Sequence, residues 1–247
     1  MIIESTFDFN SKGGIIISDI ENNIRNIRQI IERSKMKSPY GAKEVLLLAV
    51  TKTVDPDRIN DALDQGITAI GENRVQEILR KFDQVKHPVQ WHLIGHLQTN
   101  KVKYIIDKVS LIHSLDSISL AEEIEKRAQI AGIRIPVLVQ VNVAGEETKY
   151  GVEPKKTVDF VREIASFQHL WVKGLMTIGP LVEDAEENRP VFRRLRELRD
   201  EIHKMAIDGV DMDYLSMGMT NDYHIAVEEG ANIVRIGSAI FGRRVNK

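Results

Sequence analysis

The 247-residue chain has no cysteine. That excludes disulfides, thiolate-ligated zinc and iron–sulfur centres, and it agrees with a reducing compartment. It also lacks any run approaching the ~18 apolar residues of a membrane span. Met1 to Asn10 carry Glu4 and Asp8 and lack the basic-then-apolar layout of a secretion signal. Charge of one sign is not in excess: 34 basic residues face 36 acidic ones, for a net charge of −2. Such a balance argues against a generic polyanion binder. No low-complexity segment or composition break marks a linker. The expectation is a soluble, cytoplasmic chain with neither a nucleic-acid nor a membrane partner.

What is present suffices for a large core, since 43% of residues are hydrophobic and 28% charged. Short apolar runs predict strands at 45–50, 67–71, 89–94, 109–114, 135–143, 170–176, 213–217 and 232–236. Amphipathic stretches predict helices at 56–65, 73–83, 99–107, 117–131, 154–166, 186–206 and 221–229. A leading helix is marked by Ile20, Ile24, Ile27 and Ile31 behind a Ser18 or Asp19 cap. Pro56 and Pro154 suit first turns. Ser117 and Ser119 offer caps, with Glu122 completing a box to Ser119 and Gly132 ending that helix. Phe192, Leu195, Leu198, Ile202 and Met205 mark the buried stripe of the longest helix, whose Arg and Glu residues read as a solvated face. Strands alternating with helices across short loops imply parallel pairing. The economical fold is α/β: a single (β/α)8 TIM-type barrel over 15–247 with an additional N-terminal helix, behind a flexible tail at 1–14. A doubly wound open sheet is the alternative.

Lys52 stands just past Leu46-Leu47-Leu48-Ala49-Val50. Barrel enzymes build their sites at strand C-terminal ends, so an amine there is placed as a nucleophile, provided desolvation or a cationic neighbour helps it. A lysine that snorkels into water is the competing reading. The last two strand ends, Leu215 to Asp222 and Val234 to Ser238, are polar and glycine-rich. Loops after strands seven and eight commonly hold phosphate in barrels. Thr220 and Ser238 offer hydroxyls there, and Gly237 and Ser238 offer peptide N–H groups. Together with Lys52 they suggest a phosphorylated carbonyl compound, held by phosphate at one end and an amine at the other. Arg235 lies inside an apolar strand, where a permanent charge needs a partner. That partner is either a carboxylate within the barrel or a ligand ring.

Other polar residues carry weaker signals. His92 and His96 read as a strand end and a loop that border the pocket. They are not a zinc pair, and no metal site is expected. Glu72 and Glu77 read as a solvated start to a helix, Met217 and Met219 as packing at the barrel mouth. Lys101 and Lys149 are candidates to attract a phosphate.

Ala49-Val50-Thr51-Lys52, Gly71 to Glu77, Trp91 to Lys101, Gly174 to Thr177, Leu215 to Thr220 and Arg235 to Ser238 occur together in order and spacing. Linked in this way, they make the chain resemble the pyridoxal 5′-phosphate homeostasis protein family from about residue 16 to 243. That family has the barrel of the alanine racemase N-terminal domain. The resemblance implies that Lys52 forms an internal aldimine with pyridoxal 5′-phosphate. It also implies that Thr220, Gly237 and Ser238 hold the phosphate, that Arg235 meets the pyridine nitrogen and that Asn73 lines the pocket. Thr51 and Thr220 stand where many members have serine, and both keep the hydroxyl.

The implied function is binding of pyridoxal phosphate for vitamin B6 homeostasis, buffering it or passing it to apo-enzymes that accept it. The chain is expected to act as a monomer and without a catalytic residue of its own. Alanine racemase draws its second base, a tyrosine, from another domain, and nothing in this sequence places Tyr40, Tyr104, Tyr150, Tyr214 or Tyr223 opposite Lys52. The alternatives are a weak amino-acid racemase using the same imine and, outside this cofactor class, an aldolase-type barrel acting on a phosphosugar.

Overall fold

A computed structural model describes residues 19–40, 44–85, 88–146 and 149–242. The expected tail at 1–14 and the Ser18 cap lie outside them. Eight strands form a closed parallel barrel in chain order. After helix α1 (Asp19–Lys37), they are β1 (Leu46–Val50), β2 (Ala69–Glu72), β3 (Gln90–Leu93), β4 (Leu111–Leu115), β5 (Ile135–Gln140), β6 (Leu170–Met176), β7 (Val210–Ser216) and β8 (Ile233–Ile236). The helices that cross between them are α2 (Pro56–Asp64), α3 (Val75–Lys81), α4 (Ile118–Ala131), α5 (Thr157–Ile164), α6 (Arg189–Lys204) and α7 (Tyr223–Glu228), and α8 (Ser238–Phe241) follows β8. The closed barrel rules out the open sheet.

Alternation along the strands sorts the side chains between two cores. On β1, the odd positions Leu47 and Ala49 pack outward among the helices, whereas Leu48 fills the barrel interior. On β8, Val234 and Ile236 face outward and Ile233 inward. The barrel closes where β1 meets β8, with Leu48 beside Arg235 and Ala49 beside Ile236. α8 has only four residues, and α1 occupies the outer layer beside it. The isoleucine stripe Ile20, Ile24, Ile27 and Ile31 is buried as expected, and Asn23 donates to the Ile240 carbonyl at 3.0 Å.

Several local expectations need correction. The crossover after β3 is a 3-10 turn at Thr99–Tyr104 rather than an α-helix. Helix α4 starts at Ile118 with Ser117 at its cap position, and no side-chain capping bond forms. Ser119 instead donates to the Ser117 hydroxyl, so the box to Glu122 is not made. Met205 is 37% exposed, because α6 ends at Lys204 and the stripe stops with Ile202. The charged face of α6 is only partly solvated. Arg189, Arg193 and Arg196 converge on Glu229, which is 3% exposed, and the Arg196 guanidinium lies 3.5 Å from the centre of the Tyr40 ring.

Candidate functional site

The C-terminal ends of β1, β2, β7 and β8 surround one side of the barrel mouth, where a cavity of about 840 Å3 opens. All six residues singled out by the sequence, Lys52, Asn73, Thr220, Arg235, Gly237 and Ser238, line it. Alternation accounts for the inward ones. Lys52 continues the inward parity of Leu48 and Val50, and Asn73 that of Ala69 on β2.

At the β7–β8 end, the Ser238 hydroxyl donates to that of Thr220 at 3.2 Å. Gly237 is the cap position of α8, whose first N–H groups have no partner within the helix, and it lines the cavity with Ser238. The loop carrying Thr220 is held from behind. The Asp222 carboxylate accepts from the Met219 N–H at 2.6 Å and from Asn188 Nδ2 at 2.8 Å. Gly218, at φ +88°, makes the turn possible, since a Cβ there would meet that of Ala226 at 2.5 Å. At the β2 end, Gly95 passes so close to Asn73 that a Cβ would lie 2.3 Å from the Asn73 carbonyl oxygen. Asn73 Oδ1 is buried with no hydrogen-bond partner.

Arg235 is 4% exposed. Its guanidinium donates to the Ser216 hydroxyl at 2.7 Å and to the Thr177 carbonyl at 2.8 Å, both of them neutral groups. Burial lowers its pKa to about 10, against the opposing pull of Asp222, so it remains a cation at neutral pH. Behind it runs a chain of buried rings: Ser216 Oγ lies 2.9 Å from His113 Nδ1, and His113 Nε2 lies 3.0 Å from His92 Nδ1. Burial pushes His92 down to about 4 and His113 well below the ordinary histidine range, so both are neutral. With Arg235 donating to Ser216, the hydroxyl can donate to His113 and His113 to His92. The interior thus surrounds one cation with uncharged acceptors.

Other sequence readings come out differently. His92 belongs to this interior chain and does not line the cavity. His96 stacks on Tyr150 with ring centres 3.8 Å apart, also outside the lining. Lys149 donates to Glu146 at 2.6 Å and to the Gly179 carbonyl at 3.2 Å, and neither it nor Lys101 reaches the cavity wall. Met217 is buried as packing, while Met219 lines the mouth. Among the described residues, no group of three His, Asp or Glu could hold a metal ion.

Glu72 is not on a solvated helix start. It is fully buried, as is Lys81, and the two pair at 2.7 Å. Glu77 is half-buried beside them, 3.0 Å from Lys81. Sequence reasoning also missed Asn188 and Asp222, which carry no motif because their role is to hold a loop. The apolar rim of Ile178, Pro180 and Leu181 was missed as well.

The profile of the family described as alanine racemase, N-terminal domain, matches residues 15–245. A pyridoxal phosphate homeostasis protein of Aquifex aeolicus is 46% identical over 222 residues, covering 90% of this chain and 96% of its own. Another, of Helicobacter pylori, is 38% identical over 216 residues, covering 86% and 94%. The solved structure of PipY from Synechococcus elongatus with PLP bound superimposes with a TM-score of 0.79 at 30% identity. It covers 90% of this chain and all of its own length.

Proposed function

Given that this chain belongs to the pyridoxal phosphate homeostasis protein family, we propose that it binds pyridoxal 5′-phosphate at the β1–β8 mouth and serves vitamin B6 homeostasis by buffering or transfer. The observation that carries this reading is the convergence in one cavity of the Lys52 amine, the paired Thr220 and Ser238 hydroxyls and the buried Arg235 cation. The residues fit the cofactor in kind. Two hydroxyls and the N–H groups at the start of α8 suit a phosphate. The buried, unpartnered Oδ1 of Asn73 would give the bound cofactor a polar contact in the same cavity.

Pyridoxal phosphate supplies an aldehyde that condenses reversibly with amines, and a ring that withdraws electrons most strongly when its nitrogen is protonated. Lys52 supplies the amine that holds it. Arg235, with no carboxylate among its hydrogen-bond partners, opposes protonation of a nearby ring nitrogen by like-charge repulsion. That weakens the electron sink and suits holding the cofactor over activating a bound amino acid. Among the described tyrosines none lines the cavity, so the reading assigns no second base to this chain. A weak racemase is the competing reading, and the shared barrel of the alanine racemase domain favours it. Enzyme-dependent exchange of solvent deuterium into the α-carbon of added amino acids would support it.

No described helix is long and apolar enough to cross a membrane. The reading includes a cytoplasmic monomer that hands cofactor to apo-enzymes. The test of the central claim is the absorbance spectrum of freshly purified protein before and after borohydride, with peptide mapping. A visible band that bleaches and leaves a pyridoxyl mass on the Lys52 peptide is expected. No band even after adding pyridoxal phosphate would overturn the reading and bring the aldolase-type alternative forward.

A further inference from the structure

A fully buried ion pair lies directly behind the residue that precedes Lys52. Thr51 and Glu72 occupy outward positions at the ends of β1 and β2, so they face the helix layer and not the cavity. Every polar group of Thr51 is engaged there. Its N–H donates to the Gly71 carbonyl at 3.0 Å, its hydroxyl to Glu72 Oε1 at 2.7 Å, and its carbonyl accepts from Lys81 Nζ at 2.8 Å. Lys81, on the buried face of α3, completes its three donors with Glu72 Oε1 at 2.7 Å and Glu77 Oε2 at 3.0 Å. Thr51, Glu72 and Lys81 are all 0% exposed. The chain then leaves the clamp through Lys52 and a turn in which Thr53 has φ +64°.

A buried ion pair is weak evidence for stability, since well-packed apolar residues often serve as well. What this pair adds is a second donor on one backbone carbonyl adjacent to the reactive lysine. The Val54 N–H already reaches the Thr51 oxygen at 2.9 Å from within the turn, and Lys81 ties that oxygen to the helix layer at 2.8 Å. Lysine has a flexible four-carbon stem, and where its backbone root sits decides where the amine can reach. We propose that Glu72 and Lys81 are positioning residues: acting through Thr51, they hold the root of Lys52 so that its amine meets the aldehyde carbon of a molecule anchored by its phosphate. In that condensation the Lys52 nitrogen bonds the aldehyde carbon, gives up two protons, and the aldehyde oxygen leaves as water. The inference rests on the pyridoxal phosphate reading and assigns it two residues that do not touch the cofactor. A displacement of about 1 Å can cost such a reaction about a hundredfold.

Lys81→Met alone strands a buried carboxylate and could fail to fold, so the test uses Lys81→Met with Glu72→Gln, and separately Thr51→Val and Thr51→Ser. Three quantities are measured on cofactor-free protein. They are the rate at which Lys52 captures pyridoxal phosphate, read by borohydride and mass mapping; the affinity for pyridoxine 5′-phosphate, which has no aldehyde; and trace acetylation of Lys52 by acetic anhydride relative to the exposed Lys155. Capture is expected to fall about tenfold or more in the double variant and in Thr51→Val, and to return in Thr51→Ser. Pyridoxine phosphate affinity and acetylation should stay within about twofold of wild type. Unchanged capture, or a parallel loss of pyridoxine phosphate affinity, overturns the inference alone. Wild-type protein that captures nothing on Lys52 overturns the cofactor reading, and the inference with it.

Discussion

The proposed function assigns Lys52 and Arg235 separable duties, and single substitutions test them. Lys52→Ala removes the amine at a residue on the cavity wall, so the fold should survive while the visible band and the borohydride-stable mass disappear. A band unchanged from wild type would remove Lys52 from its role. Arg235→Gln replaces a buried cation that donates to Ser216 and Thr177 by a neutral amide. Loss of charge-assisted bonds of this kind costs about 1.5–3 kcal/mol. Those two bonds are internal, so their loss lowers stability. The contact that the proposed function gives the guanidinium with the ring nitrogen is of the same kind, so cofactor affinity is expected to fall by about tenfold to a hundredfold, with faster deuterium exchange into bound amino acids as the ring nitrogen becomes free to protonate. Equilibrium dialysis and proton NMR would read the two effects, and wild-type values for both would take Arg235 out of the site. That the six residues line one cavity was legible from the motifs, and for Lys52, Asn73 and Arg235 strand parity points the same way. Glu72 was misread for want of parity: Ile70 packs outward on β2, and Glu72 shares its side. Lys81 follows Val75 and Ile78 at three-residue steps on the buried face of α3, so both halves of the ion pair could have been seen by applying periodicity to charged residues.

At the scale of elements, the strands were easier to read than what joins them. Apolar runs mark a buried strand whatever surrounds it, but a helix boundary depends on hydrogen bonds that the sequence only suggests. The 3-10 turn at Thr99–Tyr104 and the unused box at Ser119 show this. The same weakness hid the junction of α6 and α7. An arginine-rich helix looks solvated until a buried carboxylate is placed against it, and Glu229 lies on a different element. Burial pushes the Glu229 carboxyl up, but hydrogen bonds from Arg193 and Arg189 outweigh that and hold it below its ordinary value of 4.5. A depressed folded pKa contributes stability that is present above the unfolded value and lost as pH falls through the folded one. Glu229→Gln should accordingly lower stability by about 3–5 kcal/mol at neutral pH, as expected when one partner of a buried ionic network is removed. The gap from wild type should shrink below about pH 4.5. Thermal denaturation of both proteins across pH 3 to 8 measures it, and a gap independent of pH would show that the network contributes through packing and not through charge.

The whole barrel is uneven where it closes. β1 and β8 share four register pairs, from Leu46–Ile233 to Ala49–Ile236, whereas β7 and β8 share a single one, Ser216–Ile233. On either side of that pair the seam is held by scattered bonds, such as Asn232 Nδ2 to the Asp213 carbonyl at 2.6 Å before it and Arg235 N–H to the Gly218 carbonyl at 3.0 Å beyond it. Thr220 follows β7 and Ser238 follows β8, so a phosphate held by both hydroxyls bridges the two sides of this seam. Lys52, beyond β1, adds the third strand. Binding energy directed to the native state raises stability by about 2.7 kcal/mol at a hundredfold excess over Kd. Local opening spans a range of free energies across a fold, and thinly paired regions occupy its low end. Cofactor should therefore slow amide exchange most in the segment 217–222 and in β8, and little in β4 to β6 on the far side. Hydrogen exchange of wild type with and without pyridoxal phosphate, compared with Lys52→Ala, separates the contributions. Protection that persists in the variant belongs to the phosphate bridge, and protection that is lost belongs to the covalent link. Uniform slowing around the barrel would mean that the seam is no weaker than the rest, and that its single register pair is fully compensated by the bonds beyond it.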